Sequence, residues 1–138
     1  MSGYSGTPLV KKLGIKENFR IALVQAPDRF TAELGSLPAG CNIVPQTRKP
    51  LDLILMFVKN NGDLSKNFAV LAQALTPAGS LWVAWPKKAS GIKTDLSFGV
   101  VQKHGLEIGL VDTKICAVNE IWSGLKFVYR LKDRPSRS

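Results

Sequence analysis

The stretch LDLILMFV at residues 51–58 decides the fold, because it is the most continuously apolar run of the chain. Such a run is typical of a parallel strand that is covered on both faces of a sheet. The run LWVAW at residues 81–85 predicts a second buried strand. With a helix between them, the two strands make a right-handed crossover unit at the centre of the domain.

The helix of this unit is predicted from an apolar stripe at helical spacing. Asp63 in its first turn favours the positive helix end, and Pro77 and Gly79 are expected to end it. The stripe consists of Leu64, Phe68, Leu71 and Leu75.

The residues before this unit add two strands and a short helix. FRIALV at residues 19–24 and CNIV at residues 41–44 are short apolar runs bounded by prolines, which predicts strands. A helix over residues 29–37 would join them and end at Pro38-Ala39-Gly40. The order of elements therefore predicts a parallel sheet built from helical crossovers.

The last third of the chain has a different pattern. A helix is expected to begin at Thr94 as N-cap and to stop at Gly105. Two strands, at residues 110–118 and 125–131, are then separated only by residues 119–124, and so short a connection requires an antiparallel hairpin. The predicted fold is α/β, a Rossmann-like three-layer sandwich whose mostly parallel sheet closes with this hairpin.

Length and composition predict one domain over residues 1–132, followed by a flexible basic tail at residues 133–138. The chain has 138 residues, 45% of them hydrophobic, which suffices for one core. It contains neither an apolar run of about 20 residues nor a signal-peptide pattern, so a cytoplasmic protein is expected. Cys41 and Cys116 lack metal-ligand spacing, and no metal is predicted.

The net charge of +9 attracts polyanions in general. It agrees equally with a nucleic acid, a nucleotide or a phosphorylated metabolite as ligand. No membrane partner is expected, and an oligomer is possible. His104 is the only histidine and is expected at the negative end of its helix, so Ser90 and Ser123 have no obvious catalytic partner.

Leu75-Thr76-Pro77-Ala78-Gly79-Ser80-Leu81 resembles the L-x-P-G-G-x-L turn before the fifth strand of class I methyltransferases, a fold that also closes with a hairpin. The first strand departs from that family, because it runs into Gln25-Ala26-Pro27-Asp28-Arg29-Phe30 in place of a glycine-rich loop. Those glycines let the backbone approach the cofactor. We therefore expect no cofactor and consider S-adenosylmethionine unlikely.

A second resemblance spans nearly the whole chain. Its segments are YSGTPL at residues 4–9, WVAWPKKASG at 82–91 and WSGLKF at 122–127. They are similar to the small bacterial proteins of domain-of-unknown-function family 3052. This resemblance implies a bacterial cytosolic protein, and it transfers no catalytic residue.

The candidate site is the rim beyond the carboxyl ends of the parallel strands, where ligands of such sheets bind. The loop after the strand at residues 81–85 leads to a predicted helix start and combines two ammonium groups, hydroxyls and a flexible glycine, which suits an anion. The loop residues are Lys87, Lys88, Ser90, Gly91, Thr94 and Asp95. Neighbouring loops add Lys59, Asn60, Asn119, Glu120, Trp122 and Ser123.

These same residue types are also typical of ordinary turns and helix caps. The expected function is a non-enzymatic or regulatory module that binds a small anionic ligand at Lys87 to Asp95, rather than around Gln25. Three alternatives stay open: a nucleic-acid-binding basic module, a divergent methyltransferase-like enzyme and a protein interaction scaffold.

Overall fold

The computed structural model describes residues 7–133 and contains a six-stranded sheet with four α-helices. The strands are β1 (Arg20–Val24), β2 (Asn42–Ile43), β3 (Leu51–Phe57), β4 (Leu75–Pro86), β5 (Leu110–Ala117) and β6 (Trp122–Tyr129). The helices are α1 (Leu9–Leu13), α2 (Phe30–Leu34), α3 (Asn61–Gln73) and α4 (Phe98–Ile108), with short 3-10 turns at Lys88–Ser90 and Leu131–Asp133.

The sheet has the strand order β2-β1-β3-β4-β6-β5. β6 runs antiparallel to both β4 and β5, and all other neighbours are parallel. The predicted fold class is therefore confirmed. Because β5 points the same way as β4, the β5–β6 connection lies at the edge where the parallel strands end.

Helices cover both faces of the sheet, so the hydrophobic core consists of two clusters, one on each face of the sheet. α3 and α4 pack Phe68 and Val101 against one face, while α1 and α2 pack Leu13 and Phe30 against the other. On the second face the indole Nε1 of Trp82 donates a hydrogen bond of 2.9 Å to the backbone oxygen of Leu13. This bond fixes α1 to the middle of the sheet.

The predicted end of α3 was wrong. The helix ends at Gln73, and Leu75 begins β4, where it pairs with Leu51. The backbone N–H of Leu51 donates to the oxygen of Ala74 over 2.8 Å, so pairing between strands replaces the last turn of the helix. Pro77, which has no N–H, could not have continued the helical bonding.

Both predicted ends of α4 were also wrong. The N-cap is Ser97, whose Oγ accepts from the N–H of Val100 at 3.3 Å, whereas Thr94 Oγ1 accepts from Leu96 in a turn before the helix. The helix continues through Gly105 and ends at Gly109, in left-handed conformation. Gly105 lies directly against the ring of Phe127, so it is a packing glycine rather than a terminator.

The other predicted elements occur with shifted ends. The helix predicted over residues 29–37 is the shorter α2, and the strand predicted over residues 125–131 begins and ends earlier as β6. Tyr4-Ser5-Gly6 and residues 134–138 of the expected tail lie outside the described residues. Within residues 7–133 no helix is both long and apolar enough to span a membrane.

Candidate functional site

A cavity of about 520 Å³ lies at the carboxyl edge of the sheet. It is formed where β1 and β3 end and where the loops after β4 and β5 come together. Its lining residues are Gln25, Pro27, Phe57, Lys59, Asp63, Ile92, Ile121 and Trp122. The volume falls within the range of roughly 300–1,000 Å³ that is usual for small-molecule sites.

The loop that leaves β1 reaches this cavity through a strained backbone. Gln25 has φ 57° and Arg29 has φ 68°, so both residues occupy the left-handed region without being glycine. Such residues are uncommon and cost energy, and they concentrate at functional sites. The loop thus makes its turns without glycine. Pro27, which lies between Gln25 and Arg29 in the sequence, lines the cavity.

Aromatic rings form one wall of the cavity. Trp122 is only 5% exposed, and it meets Phe57 edge to face with ring centroids 5.1 Å apart. Phe57 meets Phe30 of α2 in the same way at 4.9 Å. Edge-to-face contacts of this kind stabilise aromatic pairs by about 0.5–1.5 kcal/mol beyond their burial, so the rings support one another in the wall.

Asn119 holds that wall in place. Its Oδ1 accepts hydrogen bonds from the backbone N–H groups of Ile121 and Trp122 at 2.8 and 2.9 Å. Its Nδ2 donates to Glu33 Oε1 at 2.9 Å and so ties the β5–β6 turn to α2. Asn119 is therefore a positioning residue and does not itself line the cavity.

Two side chains of opposite charge line the cavity beside the aromatic wall. Lys59 is exposed and follows β3, and Asp63 is half-buried in the first turn of α3. Asn60 stands between them in sequence and caps the helix, since its Oδ1 accepts from the N–H of Asp63 at 2.8 Å. The cavity thus offers an apolar wall, one cation and one anion.

The polar groups of the loop between Lys87 and Asp95 are largely used within the protein. Ser90 Oγ donates to the oxygen of Lys87 at 2.6 Å and accepts from the N–H of Ile92 at 3.1 Å. Gly91 adopts the left-handed turn conformation with φ 79°. Asp95 Oδ1 accepts from the N–H of Asn61 at 2.8 Å, at the start of α3.

The structure brings some of the predicted site residues to the cavity and not others. Lys59 and Trp122 line it, and Asn60 and Asn119 hold its walls. Lys88 and Glu120 are exposed, and Ser123 is paired with Trp85 in the sheet. Six lining residues were not predicted from the sequence, namely Gln25, Pro27, Phe57, Asp63, Ile92 and Ile121.

His104 lies within α4 and not at its end as predicted. Its ring packs edge to face on Phe68 with centroids 5.2 Å apart, and its Nε2 is buried with no hydrogen-bond partner among the described residues. It does not line the cavity at the carboxyl edge. In residues 7–133 no group of three or more His, Cys, Asp or Glu side chains is placed to hold a metal ion.

The Rossmann-like fold is similar to that of several solved methyltransferases. A precorrin-6y C5,15-methyltransferase from Geobacter metallireducens matches with a TM-score of 0.62 and 8% identity, over 88% of this chain and 86% of that one. A magnesium protoporphyrin IX methyltransferase from Synechocystis, solved with bound S-adenosylmethionine, matches with a TM-score of 0.56 and 9% identity. The match covers 88% of this chain and 74% of that one. A TehB-like methyltransferase from Corynebacterium glutamicum matches with a TM-score of 0.56 and 10% identity, over 88% of this chain and 85% of that one.

Sequence comparison gives no match: no family model and no curated protein matches the chain. The resemblance to family 3052 therefore finds no support here. At 8–10% sequence identity, structural similarity to these solved proteins establishes the fold and not the activity.

The structural likeness nevertheless corrects three expectations. Methyltransferases among the neighbours favour a divergent methyltransferase-like enzyme over the non-enzymatic module for a small anion, and they count against a protein without enzyme activity. Several neighbours hold S-adenosylmethionine or S-adenosylhomocysteine, so the expectation that no such cofactor binds was also wrong. That expectation rested on the lack of glycines after β1, where the loop turns instead through left-handed residues at Gln25 and Arg29.

Proposed function

We propose that the protein is a divergent methyltransferase that binds S-adenosylmethionine in the cavity at the carboxyl edge of its sheet. The observation that carries the proposal is the position of this cavity, beyond the ends of β1 and β3, in a fold shared with enzymes that hold this cofactor. In open α/β sheets, ligands bind at this edge.

The residues of the cavity fit the chemistry of the cofactor. An adenine ring needs an apolar wall, which Ile92, Ile121 and Trp122 would provide. An amino-acid moiety carries an ammonium and a carboxylate group, which Asp63 and Lys59 would bind by charge-assisted hydrogen bonds. When bound, S-adenosylmethionine supplies the methyl group of its sulfonium to a nucleophilic atom of a substrate.

Isothermal titration calorimetry with S-adenosylmethionine and S-adenosylhomocysteine tests the proposal. Saturable binding of either compound is expected. Ile92→Trp would fill the cavity and should abolish the binding heat. Ile115→Trp is the matched control, because Ile115 is 54% exposed on β5 and does not line the cavity.

The charged groups are tested separately. Asp63→Asn should weaken binding at least about tenfold, since a hydrogen bond to a charged group contributes about 1.5–3 kcal/mol and about 1.4 kcal/mol corresponds to tenfold. Glu107→Gln removes the same charge from α4 and should leave the affinity unchanged. No heat and no thermal stabilisation by either compound at millimolar concentration would refute the proposal.

Three broader expectations complete the proposal: a single domain over residues 1–132, membership of bacterial family 3052, and a place in the cytoplasm. Family membership rests only on the resemblance of the segments at residues 82–91 and 122–127. The cytoplasm is supported by the free state of Cys41 and Cys116, which suits a reducing compartment. Limited proteolysis that trims only the last few residues would support the single domain.

A further inference from the structure

A second cavity, of about 400 Å³, lies beside the edge strand β2, away from the carboxyl edge of the sheet. It is called the β2 cavity below, and its lining residues are Arg20, Asn42, Ile43, Val44 and Arg48. β2 pairs only with the first two residues of β1, Arg20 and Ile21, so this cavity lies near the amino end of β1. None of the described residues lines both this cavity and the one at the carboxyl edge.

The loop between β2 and β3 holds the guanidinium group of Arg20 in place. Nη2 of Arg20 donates a hydrogen bond of 2.6 Å to the backbone oxygen of Arg48. Arg20 is half-buried and begins β1, whereas Arg48 is exposed in the loop. Two arginines therefore line one cavity, one from a strand and one from the loop that is bonded to it.

The charges of these arginines are not compensated within the protein. In residues 7–133 neither guanidinium group forms an ion pair with a carboxylate. The acidic side chain that contacts Arg20 is Asp52, but its Oδ2 accepts from the backbone N–H of Arg20 at 2.8 Å. Nε of Arg20 is buried and has no hydrogen-bond partner within the same residues. A half-buried charge with an unsatisfied donor costs free energy, and a bound anion would supply the missing counter-charge.

The polar part of the lining favours an oxyanion as ligand. A guanidinium group is a planar fork of N–H donors that matches two oxygens of a carboxylate or a phosphate group. Nε of Arg20 is covered by the protein, so the donors that Arg20 offers to a ligand are those of its Nη atoms. Asn42 adds a side-chain amide from the neighbouring strand.

The size of the cavity and its apolar residues favour a small molecule. A volume of about 400 Å³ lies within the range of roughly 300–1,000 Å³ that is usual for small-molecule sites. Ile43 and Val44 line the cavity with hydrocarbon, which suits a ligand with an apolar body beside its charged group. A nucleic acid strand would need a row of cations along its backbone, whereas the cations of this cavity are two arginines.

We propose that the β2 cavity binds a small metabolite in which an oxyanion, either a phosphate or a carboxylate group, is attached to an apolar body. The two arginines bind the oxyanion by charge-assisted hydrogen bonds, and Ile43 and Val44 contact the apolar body. This inference does not depend on cofactor binding, because the cavity at the carboxyl edge lies beyond the other end of β1, roughly 13 Å away at about 3.3 Å per residue.

Titration of the ¹⁵N-labelled wild-type protein, followed by ¹H–¹⁵N correlation spectra, tests the proposal. The probes are phenyl phosphate and benzoate, which share an aromatic ring and differ in the oxyanion, and phenol, which has the ring without the charge at neutral pH. The backbone amides of residues 42–44 and the Nε–H of Arg20 report binding in the β2 cavity. The amides of Ile121 and Trp122 report binding at the carboxyl edge.

Two variants separate the arginine fork from net charge. The test variant is Arg48→Gln, which removes one guanidinium group and keeps the backbone oxygen that accepts from Arg20. The matched control is Lys49→Gln, which removes the same charge from the next residue of the loop. Lys49 is also exposed, but it lines a different cavity. Circular dichroism and thermal melting establish that both variants fold.

At least one of the two oxyanion probes is expected to shift the resonances of the β2 cavity saturably, with a Kd of about 1 mM or lower. Phenol should leave these resonances unchanged. Arg48→Gln should raise the Kd at least about fivefold, because one of the two guanidinium groups is lost. Lys49→Gln should change the Kd by less than about twofold, since an exposed charge outside the site is screened. The probe that binds more tightly identifies the preferred oxyanion.

Three results would overturn the proposal. The first is the absence of saturable shifts with either oxyanion probe at about 20 mM. The second is an equal loss of affinity in Lys49→Gln, which would mean that the net charge of the loop attracts the probes. The third is a response to phenol as large as that to the oxyanions, or shifts confined to the carboxyl edge, since either would show that no oxyanion site lies beside β2.

Discussion

The carboxylate of Asp95 accepts a hydrogen bond of 2.8 Å from the backbone N–H of Asn61, which lies 34 residues earlier in the chain. This bond joins the loop after β4 to the first turn of α3. The first N–H groups of a helix have no partner within the helix, and a carboxylate also favours the positive helix end. Asp95 thus occupies, from within the chain, a position that an anionic ligand could have taken.

Asp95→Ala should lower the free energy of unfolding by about 1 kcal/mol, the usual effect of losing a cap. Asp95→Asn keeps an oxygen acceptor and should lower the free energy of unfolding by less than half as much as Asp95→Ala. Urea denaturation monitored by circular dichroism measures both. An equal loss in the two variants would contradict a capping role for the oxygen.

Gly105 is a second position where the structure predicts a clear effect. Gly105→Ala should destabilise the protein by about 1–3 kcal/mol, because the new methyl group would overlap the ring of Phe127 in the core. Gly99→Ala is the matched control in the same helix, since nothing lies within 4 Å of a Cβ there.

For Gly99→Ala a small gain of about 0.5–1 kcal/mol is expected from the better helix propensity of alanine. Thermal melting of both variants measures the difference. A Gly105→Ala protein as stable as Gly99→Ala would show that Phe127 does not pack against this helix.

Tyr129 links the last strand to the end of α3, since its hydroxyl donates a 2.7 Å hydrogen bond to the oxygen of Ala72. Tyr129→Phe should cost about 1 kcal/mol at neutral pH. Burial raises the pKa of Tyr129 above its ordinary value of 10.0, so the folded protein holds the proton more tightly than the unfolded chain.

The stability that Tyr129 contributes is therefore fully present below about pH 10 and is lost as the pH rises through the raised pKa. Unfolding free energies of wild type and Tyr129→Phe should converge as the pH rises from about 10 through the raised pKa. A gap between the two proteins that stays constant over this range would contradict the assigned bond.

The strands could be predicted from sequence because their signal is local. The run at residues 51–58 is apolar throughout, and the structure buries nearly all of it as β3. The helix ends could not be predicted, because long-range contacts decide them: Leu75 joins a strand by pairing with Leu51, and Gly105 packs against Phe127. Local propensity is a weak guide where such contacts compete with it.

The candidate site was harder still to predict. The lysines and hydroxyls after β4 had the residue types of an anion site, but those types also make turns, and Ser90 and Thr94 do so. The cavity depends instead on Gln25 and Arg29, whose left-handed backbone has no signal in residue type. Only the packed loops bring Ile92 and Ile121 to the same cavity as Gln25.

Asn119 provides the last prediction, because it positions the aromatic wall without lining the cavity. Asn119→Ala leaves the N–H groups of Ile121 and Trp122 without their acceptor and should lower the free energy of unfolding by about 1–3 kcal/mol. Asn119→Asp keeps the acceptor and loses only the donor to Glu33, to which it adds charge repulsion.

If Asn119 holds the wall through its oxygen, Asn119→Asp should keep more of the affinity for S-adenosylhomocysteine than Asn119→Ala does, even though the new carboxylate repels Glu33. Calorimetry at a temperature where both variants are folded measures this difference, and urea denaturation gives their stabilities. Gly105→Ala serves as a control that is destabilised away from the cavity. If the Asn119 variants bind S-adenosylhomocysteine no differently from Gly105→Ala at equal stability, a positioning role for Asn119 is contradicted.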